Sequence, residues 1–353
     1  MSSGLDTRMA EELREAPAAV RRQATALAAP LGDLLARLER RPPLFVVTCA
    51  RGSSAHAATF AKHLFERYLG LPVAAAAPNI TSLYRRRLRL QDQLFLAVSQ
   101  SGGSDDLIES AAMARAAGAL TVALVNAIDS PLAAACDIVL PMAAGSEHSV
   151  AATKTFIATL AALLRWTAAW TADTAMRDAL DRLPERIAAA LGLDWRAACA
   201  MLAGVASMAV IGRGPTLAIA REAALKLKEI CRLHAEAFSG AEFLHGPVAL
   251  VGPHYPVLLL LPSDIAAASL RRLAADLCDK GAAVFAADPA PQTGACQGSA
   301  AQAAGLPVLA ADHPEADAIC LAASVYAMAL DLAARRGTEV DRPRHLHKIT
   351  RTR

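Results

Sequence analysis

Leu94-Phe95-Leu96-Ala97-Val98-Ser99-Gln100-Ser101-Gly102-Gly103-Ser104-Asp105 is the stretch that decides the fold. A nearly continuous apolar run gives way at once to hydroxyls and glycines, and then to the acidic start of a helical segment, Asp105–Ala117. A strand covered on both faces carries such an unbroken run, whereas a half-solvated strand alternates. The step from buried strand through a tight loop into a helix is the unit of a parallel sheet. Working outward, the same kind of run recurs at Leu44–Thr48, Leu120–Asn126 and Ile138–Met142, and Ala55–Leu69 reads as another helix between strands. The pattern then restarts. Met208–Gly212, Val257–Pro262, Ala282–Asp288 and Leu306–Asp312 read as strands, and Leu217–Leu233, Ala266–Lys280 and Ala316–Arg336 as helices. The chain is therefore expected to be α/β, with one architecture present twice: a parallel sheet flanked by helices in three αβα layers.

The remaining segments read as helical. Asp6–Arg41 is interrupted near Pro17 and Pro30 and stopped by Pro42-Pro43, and Lys154 to about Trp195 is broken at Pro184. The expected organisation is an N-terminal helical segment at 1–43, a first domain at 44–172, a helical linker at 173–196, a second domain at 197–337 and a tail at 338–353.

Composition narrows the function. With 353 residues, the chain has length for about two domains. Hydrophobic residues at 54% and charged residues at 20% exclude a disordered chain. Aromatics are only 4%, so the core must be aliphatic and rich in alanine. A net charge of +3 is too small to argue for nucleic acid. The positive mean hydropathy raises the question of a membrane, and a spanning helix needs about 20 mostly apolar residues. Phe243–Ser263 is broken by four prolines, Pro247, Pro253, Pro256 and Pro262. Ala197–Gly212 is too short, and Pro289–Ala311 is rich in Gln, Gly and Pro. No membrane span is expected, and Met1–Arg14 lacks the apolar core of a signal peptide. The seven cysteines are odd in number and widely spaced, and the nine histidines form no ligand spacing. Neither a disulfide framework nor a metal site is expected, and a reducing cytoplasm is the natural compartment.

The chemistry gathers at a few loops. Ser99, Gln100, Ser101 and Ser104 lie between a strand and a helix N-terminus, where hydroxyls, amides and the helix dipole suit a phosphate. Ser53 and Ser54, after the first strand, are placed to converge on the same anion, since ligands bind beyond the carboxyl ends of strands. Ser and Gly are also ordinary turn residues, and it is the repetition at successive strand ends that favours phosphate. The second copy has Gly212-Arg213-Gly214 and Pro262-Ser263-Asp264 in these places and lacks the hydroxyl cluster. Glu222, Lys226 and Glu229 fall at i, i+4 and i+7 on one helix face. Spacing alone allows either a solvated ion-paired face or a buried functional one. His245 precedes Gly246-Pro247 at a turn, and Lys348 sits in a basic tail that would otherwise read as a frayed end.

These motifs together resemble tandem SIS (sugar isomerase) domain proteins, and in particular the isomerase half of glutamine–fructose-6-phosphate aminotransferase. The likeness begins near Met9-Ala10-Glu11 and runs into the tail. It implies a sugar-phosphate pocket at Ser54, Ser99, Gln100, Ser101 and Ser104, and a closing stretch at Val150-Ala151-Ala152-Thr153-Lys154, with Val150 and Ala151 at the sugar. It implies that Glu222-Ala223-Ala224-Leu225-Lys226-Leu227-Lys228-Glu229 is the helix of the catalytic glutamate, Glu229, with Glu222 and Lys226 beside the substrate. It implies that His245 opens the sugar ring and that Lys348, in Asp341-Arg342-Pro343-Arg344-His345-Leu346-His347-Lys348, can form an imine with a ketose. The likeness starts within the first dozen or so residues, so no glutaminase domain is expected, and Gly103 stands where the aminotransferase has a Glu. Arg51-Gly52-Ser53-Ser54-Ala55-His56 and Ala235-Glu236-Ala237-Phe238 resemble the SIS-type glucosamine-6-phosphate deaminases.

The expected function is thus conversion of glucosamine 6-phosphate and water to fructose 6-phosphate and ammonia, with no metal or other cofactor. The resemblance also implies a homodimer with shared sites, in which Phe243 and Leu244 beside His245 are covered by the partner. The rivals are a fructosamine-phosphate deglycase, a plain aldose–ketose isomerase and a non-catalytic sugar-phosphate sensor.

Overall fold

The computed structural model describes residues 6–290 and 303–348. Contacts divide the chain into two compact units. Among the described residues, one unit holds 16–148, 154–177 and 347–348, and the other holds 6–15, 149–153, 178–290 and 303–346.

The first unit is built on strands β1 (Val46–Ala50), β2 (Val73–Ala75), β3 (Leu94–Ser99), β4 (Leu120–Val125) and β5 (Ile138–Pro141). They pair in the order β2-β1-β3-β4-β5, all parallel. Every residue of central β3 is buried, which is why its sequence does not alternate. The unit's helices are α2 (Ala16–Arg40), α3 (Gly52–Leu64), α4 (Pro78–Ser82), α5 (Asp105–Ala116), α6 (Pro131–Ala135) and α7 (Lys154–Thr171). On one face of the sheet, Leu107, Ala111 and Ala114 of α5 and Leu132 of α6 pack with Cys49, Phe95, Ala97 and Ala123. On the other, α7 packs against α2 and α3. Phe65 meets Trp166 edge-on at 5.1 Å, and Trp166 stacks on Trp170 at 6.0 Å.

The second unit repeats the plan. Strands β6 (Ser207–Gly212), β7 (His234–Ser239), β8 (Pro256–Leu260), β9 (Ala283–Ala287) and β10 (Ala303–Leu306) pair in parallel as β10-β9-β8-β6-β7. Counted within the unit this is the same order as the first sheet, so the duplication read in the sequence holds. Helix α10 (Thr216–Cys231) packs on α13 (Pro314–Arg335) and on β6 and β7. Helix α12 (Ala267–Asp279) covers the other face through Leu270, Leu273 and Leu277. The unit also holds α1 (Arg8–Arg14), α9 (Arg196–Leu202), the single turn α11 (Gly240–Phe243) and most of α8 (Thr174–Leu191).

Several sequence expectations need correction. Pro30 and Pro184 do not interrupt helices but lie inside α2 and α8. Leu27, Leu31, Leu34 and Leu38 bury one stripe of α2 across the proline, and that packing holds the helix against the loss of one N–H bond. The break falls instead at Ala172, whose φ of 54° is left-handed. The strand expected at Leu306–Asp312 is β10, which ends at Leu306. Edge strands β2 and β7 were not anticipated. Helix α13 is long and apolar enough to cross a membrane by length and composition, a segment the sequence reading did not weigh, and 83% of its apolar window is buried inside the unit. Cys49, Cys136, Cys199, Cys231 and Cys320 are free and buried, and Cys278 is disulfide-bonded, a bond the sequence reading did not single out.

Candidate active site

In each sheet the chain leaves the two central strands toward opposite sides, and this switch point opens a crevice at their carboxyl ends. In the first unit those strands are β1 and β3, and the loops beyond them carry Ser54, Ser99, Gln100, Ser101 and Ser104. The Ser99 hydroxyl is buried and accepts the Gly102 N–H at 3.1 Å, so it shapes the loop from within. Ser101 Oγ accepts the Gly103 N–H at 3.4 Å. Gly102 has a φ of +60°, and a Cβ built there would collide with the Ser130 hydroxyl, so the loop can close only with glycine. The Gln100 carbonyl accepts from the amides of Asn126 and Ala127, both at 3.2 Å. Ser104 occupies the N-cap of α5, yet its hydroxyl makes no cap bond. Ser54 lies in the first turn of α3 and is half-buried.

The sequence reading missed the clamp that joins these loops. Arg51, at the N-cap of α3, donates from Nε at 3.1 Å and from Nη2 at 2.7 Å to Asp106 Oδ2 in the first turn of α5. The Asp106 side chain is 3% exposed and that of Arg51 is 51% exposed. The aspartate fixes the guanidinium between the two loops, and its exposed edge adds positive charge where an anion is expected. Nothing in the spacing of Arg51 and Asp106 announces this pair.

The same unit holds the tail lysine. Glu147 is buried, and its carboxylate accepts from Thr155 Oγ1 at 2.5 Å and from the Thr155 N–H at 3.3 Å. Lys348 Nζ lies 4.0 Å from Glu147 Oε2. Lys154 is fully buried and donates to the Ser146 carbonyl. The tail thus comes within ion-pair distance of a buried carboxylate at Lys348.

In the second unit α10 resolves the two readings of its charged face. Glu222 and Lys226 are buried, and the Glu229 side chain is 20% exposed. Lys226 Nζ stands 3.5 Å from Glu222 Oε1 and also contacts Glu229 Oε2. The Tyr326 hydroxyl, from α13, donates to Glu222 Oε1 at 2.9 Å. One buried cation thus serves two carboxylates, and the outer one retains access to solvent. A stripe meant only for solubility would not be desolvated in this way.

Val150 and Ala151 belong to this unit, half-buried and buried respectively. His245 is exposed on the turn after α11, where its N–H donates to the Glu242 carbonyl at 3.0 Å. It lines an open cleft of about 410 Å³ with Arg213, Ser269 and Arg272. Phe243 is buried against Phe238, with ring centroids 5.4 Å apart, so its own unit covers it. Leu244, next to His245, and Leu250, five residues on, are large apolar side chains left bare, at 53% and 58% exposure. The structure thus gathers the hydroxyl loops with Arg51, Lys348 with Glu147, and Glu222 with Lys226 and Glu229, while His245 stands on its own turn.

Residues 45–167 and 201–336 match the SIS domain family. The chain belongs to that family. Its two SIS domains carry the two sheets. The glutamine–fructose-6-phosphate aminotransferase of Caulobacter vibrioides is 32% identical over 340 residues, covering 92% of this chain and 54% of that protein. The chain spans about half the length of the curated relatives it matches. A crystal structure from Silicibacter pomeroyi, named a candidate phosphosugar isomerase, is 42% identical and covers 95% of this chain and 100% of its own, with a TM-score of 0.87. The C-terminal domain of the Francisella tularensis aminotransferase is 25% identical and covers 96% of this chain and 98% of its own, with a TM-score of 0.83.

Proposed function

We propose that this SIS protein is a phosphosugar isomerase of the deaminating kind, converting glucosamine 6-phosphate and water to fructose 6-phosphate and ammonia. The observation that carries the reading is the α10 cluster, in which buried Lys226 holds Glu229 at the edge of solvent. A base that moves a proton between neighbouring carbons must be fixed and reachable, and Glu229, held by Lys226 and partly exposed, meets both needs. The switch-point loops of the first SIS domain, with Arg51 clamped by Asp106, supply the anion site such a substrate requires. The likeness to relatives named for fructose 6-phosphate chemistry supports the substrate class.

In this mechanism the ring opens, assisted by His245, to an aldehyde at C1 with the amine on C2. Glu229 takes the C2 proton, giving an enolamine, and returns a proton to C1, leaving an iminium at C2. Water adds to C2, and ammonia leaves as the ketone forms. The Lys348 amine can replace ammonia at C2 first, and the resulting imine is then hydrolysed to the same ketone, restoring the lysine. Lys226 holds the Glu229 carboxylate in place between turns. No cofactor enters the scheme.

His245 acts in the site of a second copy, in a homodimer. Bare Leu244, next to it, supports this arrangement. A cytoplasmic location goes with the reading.

The test is a panel of phosphorylated sugars with purified protein and no added metal. Ammonia and fructose 6-phosphate should appear from glucosamine 6-phosphate. Ketose formed only from glucose 6-phosphate would make the protein a plain isomerase, and tight binding without turnover would make it a sensor. Mixing inactive Glu229→Gln and His245→Ala proteins under subunit exchange should restore roughly a quarter of wild-type activity if sites are shared across a two-fold axis.

A further inference from the structure

Helix α1 has seven residues, Arg8–Arg14. A helix so short does not persist on its own, so tertiary bonds must hold it. Its free amides show how. The Arg8 and Met9 N–H groups donate to Asp341 Oδ2 and Oδ1, both at 3.0 Å. The Ala10 N–H donates to Thr7 Oγ1 at 3.2 Å, and the Glu11 N–H to the Thr7 carbonyl at 3.0 Å. Every orphan donor of the first turn is thus taken, two of them by an aspartate from the far end of the chain. Met9, Ala10 and Leu13 are buried, and the helix packs on α13.

On the same helix Glu12 is buried, and its Oε2 accepts the Ser149 N–H at 3.1 Å. An apolar side chain would fill that space without desolvating a charge. Among what the carboxylate adds is a directed bond to the Ser149 backbone amide. The two ties lead to meaningful places. Ser149 opens the loop that carries Val150 and Ala151, and Asp341 lies in the tail that carries Lys348.

We propose that Glu12 and Asp341 are positioning residues and that α1 is a strap setting both the sugar-closing loop and the lysine tail. The assignment of those two segments to the substrate rests on the proposed function, whereas the strap itself rests on the geometry.

The experiment combines hydrogen exchange by mass spectrometry with steady-state kinetics on glucosamine 6-phosphate and calorimetric binding of fructose 6-phosphate. Glu12→Ala should speed exchange in a peptide covering 149–153 and raise KM roughly 10- to 100-fold, the span of one lost charge-assisted hydrogen bond. Its kcat should stay within about threefold of wild type, and Glu12→Gln, which keeps an acceptor oxygen, should behave nearly as wild type. Asp341→Ala should speed exchange across 8–14 and lower kcat about tenfold, with partial rescue in Asp341→Asn. Wild-type exchange and KM in Glu12→Ala, with only a lowered melting temperature, would overturn the strap. If Glu12→Ala does not fold, Asp341→Ala decides by the same two readouts. If the wild-type protein neither turns over nor binds either sugar phosphate, the functional reading fails, and exchange alone judges the strap: no rise refutes it, and a rise sustains it.

Discussion

Replacing Lys226 by Met removes a buried ammonium and keeps most of the side chain's volume, so packing changes little. The charge balance changes greatly. Lys226 and Glu222 side chains are each 1% exposed, with Nζ 3.5 Å from Glu222 Oε1. Glu229 is 20% exposed and can draw on water once the cation is gone. Glu222 cannot, and the Tyr326 hydroxyl at 2.9 Å offsets only part of its charge. Breaking a buried pair from one side costs roughly 3–5 kcal/mol, because an uncompensated charge stays behind. At about 2–4 °C per kcal/mol for a domain of this size, the melting temperature should fall by roughly 6–20 °C. Calorimetry and urea midpoints at neutral pH would measure it. Adding Glu222→Gln removes the stranded charge and should recover most of the loss, while turnover stays abolished because Glu229 is no longer held. A loss under about 1 kcal/mol, or a double variant no more stable than the single one, would refute the claim that this cluster is desolvated.

Further outcomes follow from the same geometry. Ser101→Ala should raise the KM for a phosphorylated sugar by roughly tenfold or more, the loss of one donor to a charged acceptor, and equal use of the unphosphorylated sugar would make the loop an ordinary turn. Borohydride added with fructose 6-phosphate should trap an adduct on Lys348, and full activity in Lys348→Ala with no adduct would remove the imine from the scheme. Burial pushes the thiols of Cys49, Cys136, Cys231 and Cys320 up to about 12, against about 8.5 in the unfolded chain. Their stabilisation is complete below about pH 8.5 and declines by about 1.4 kcal/mol per thiol per pH unit above it, because only the unfolded state loses the proton. Cys231→Ala should therefore flatten the alkaline decline seen in urea titrations, and an unchanged slope would count against a protonated, buried Cys231.

How much of this was legible in the sequence depends on where the information resides. The central strands were legible because residues such as Phe95, Leu96 and Val98 are buried on both faces and leave a continuous apolar run. Edge strands β2 and β7 were not, since Val73-Ala74-Ala75 has a single buried residue and His234–Ser239 is mostly half-covered or exposed. Pro30 reads as a break only when the leucine stripe on both sides of it is ignored. The hydroxyl loop and the spacing of Glu222, Lys226 and Glu229 were visible, but the burial that gives the stripe its chemistry was not. That burial comes from α13, whose Tyr326 lies 104 positions away from Glu222. Arg51 with Asp106, Glu147 with Lys348, and Glu12 with Ser149 are pairings created by the fold across long separations, and no local spacing encodes them.

The most direct measurement of the central claim is deuterium incorporation during turnover. Glucosamine 6-phosphate is incubated with the protein in heavy water, and the fructose 6-phosphate formed is examined by NMR at C1. Proton transfer through the Glu229 carboxylate exchanges with solvent, so the product should carry deuterium at C1. Glu229→Gln should reduce its formation by a factor of roughly 10²–10⁴. Ketose formed at the wild-type rate by Glu229→Gln would contradict the account.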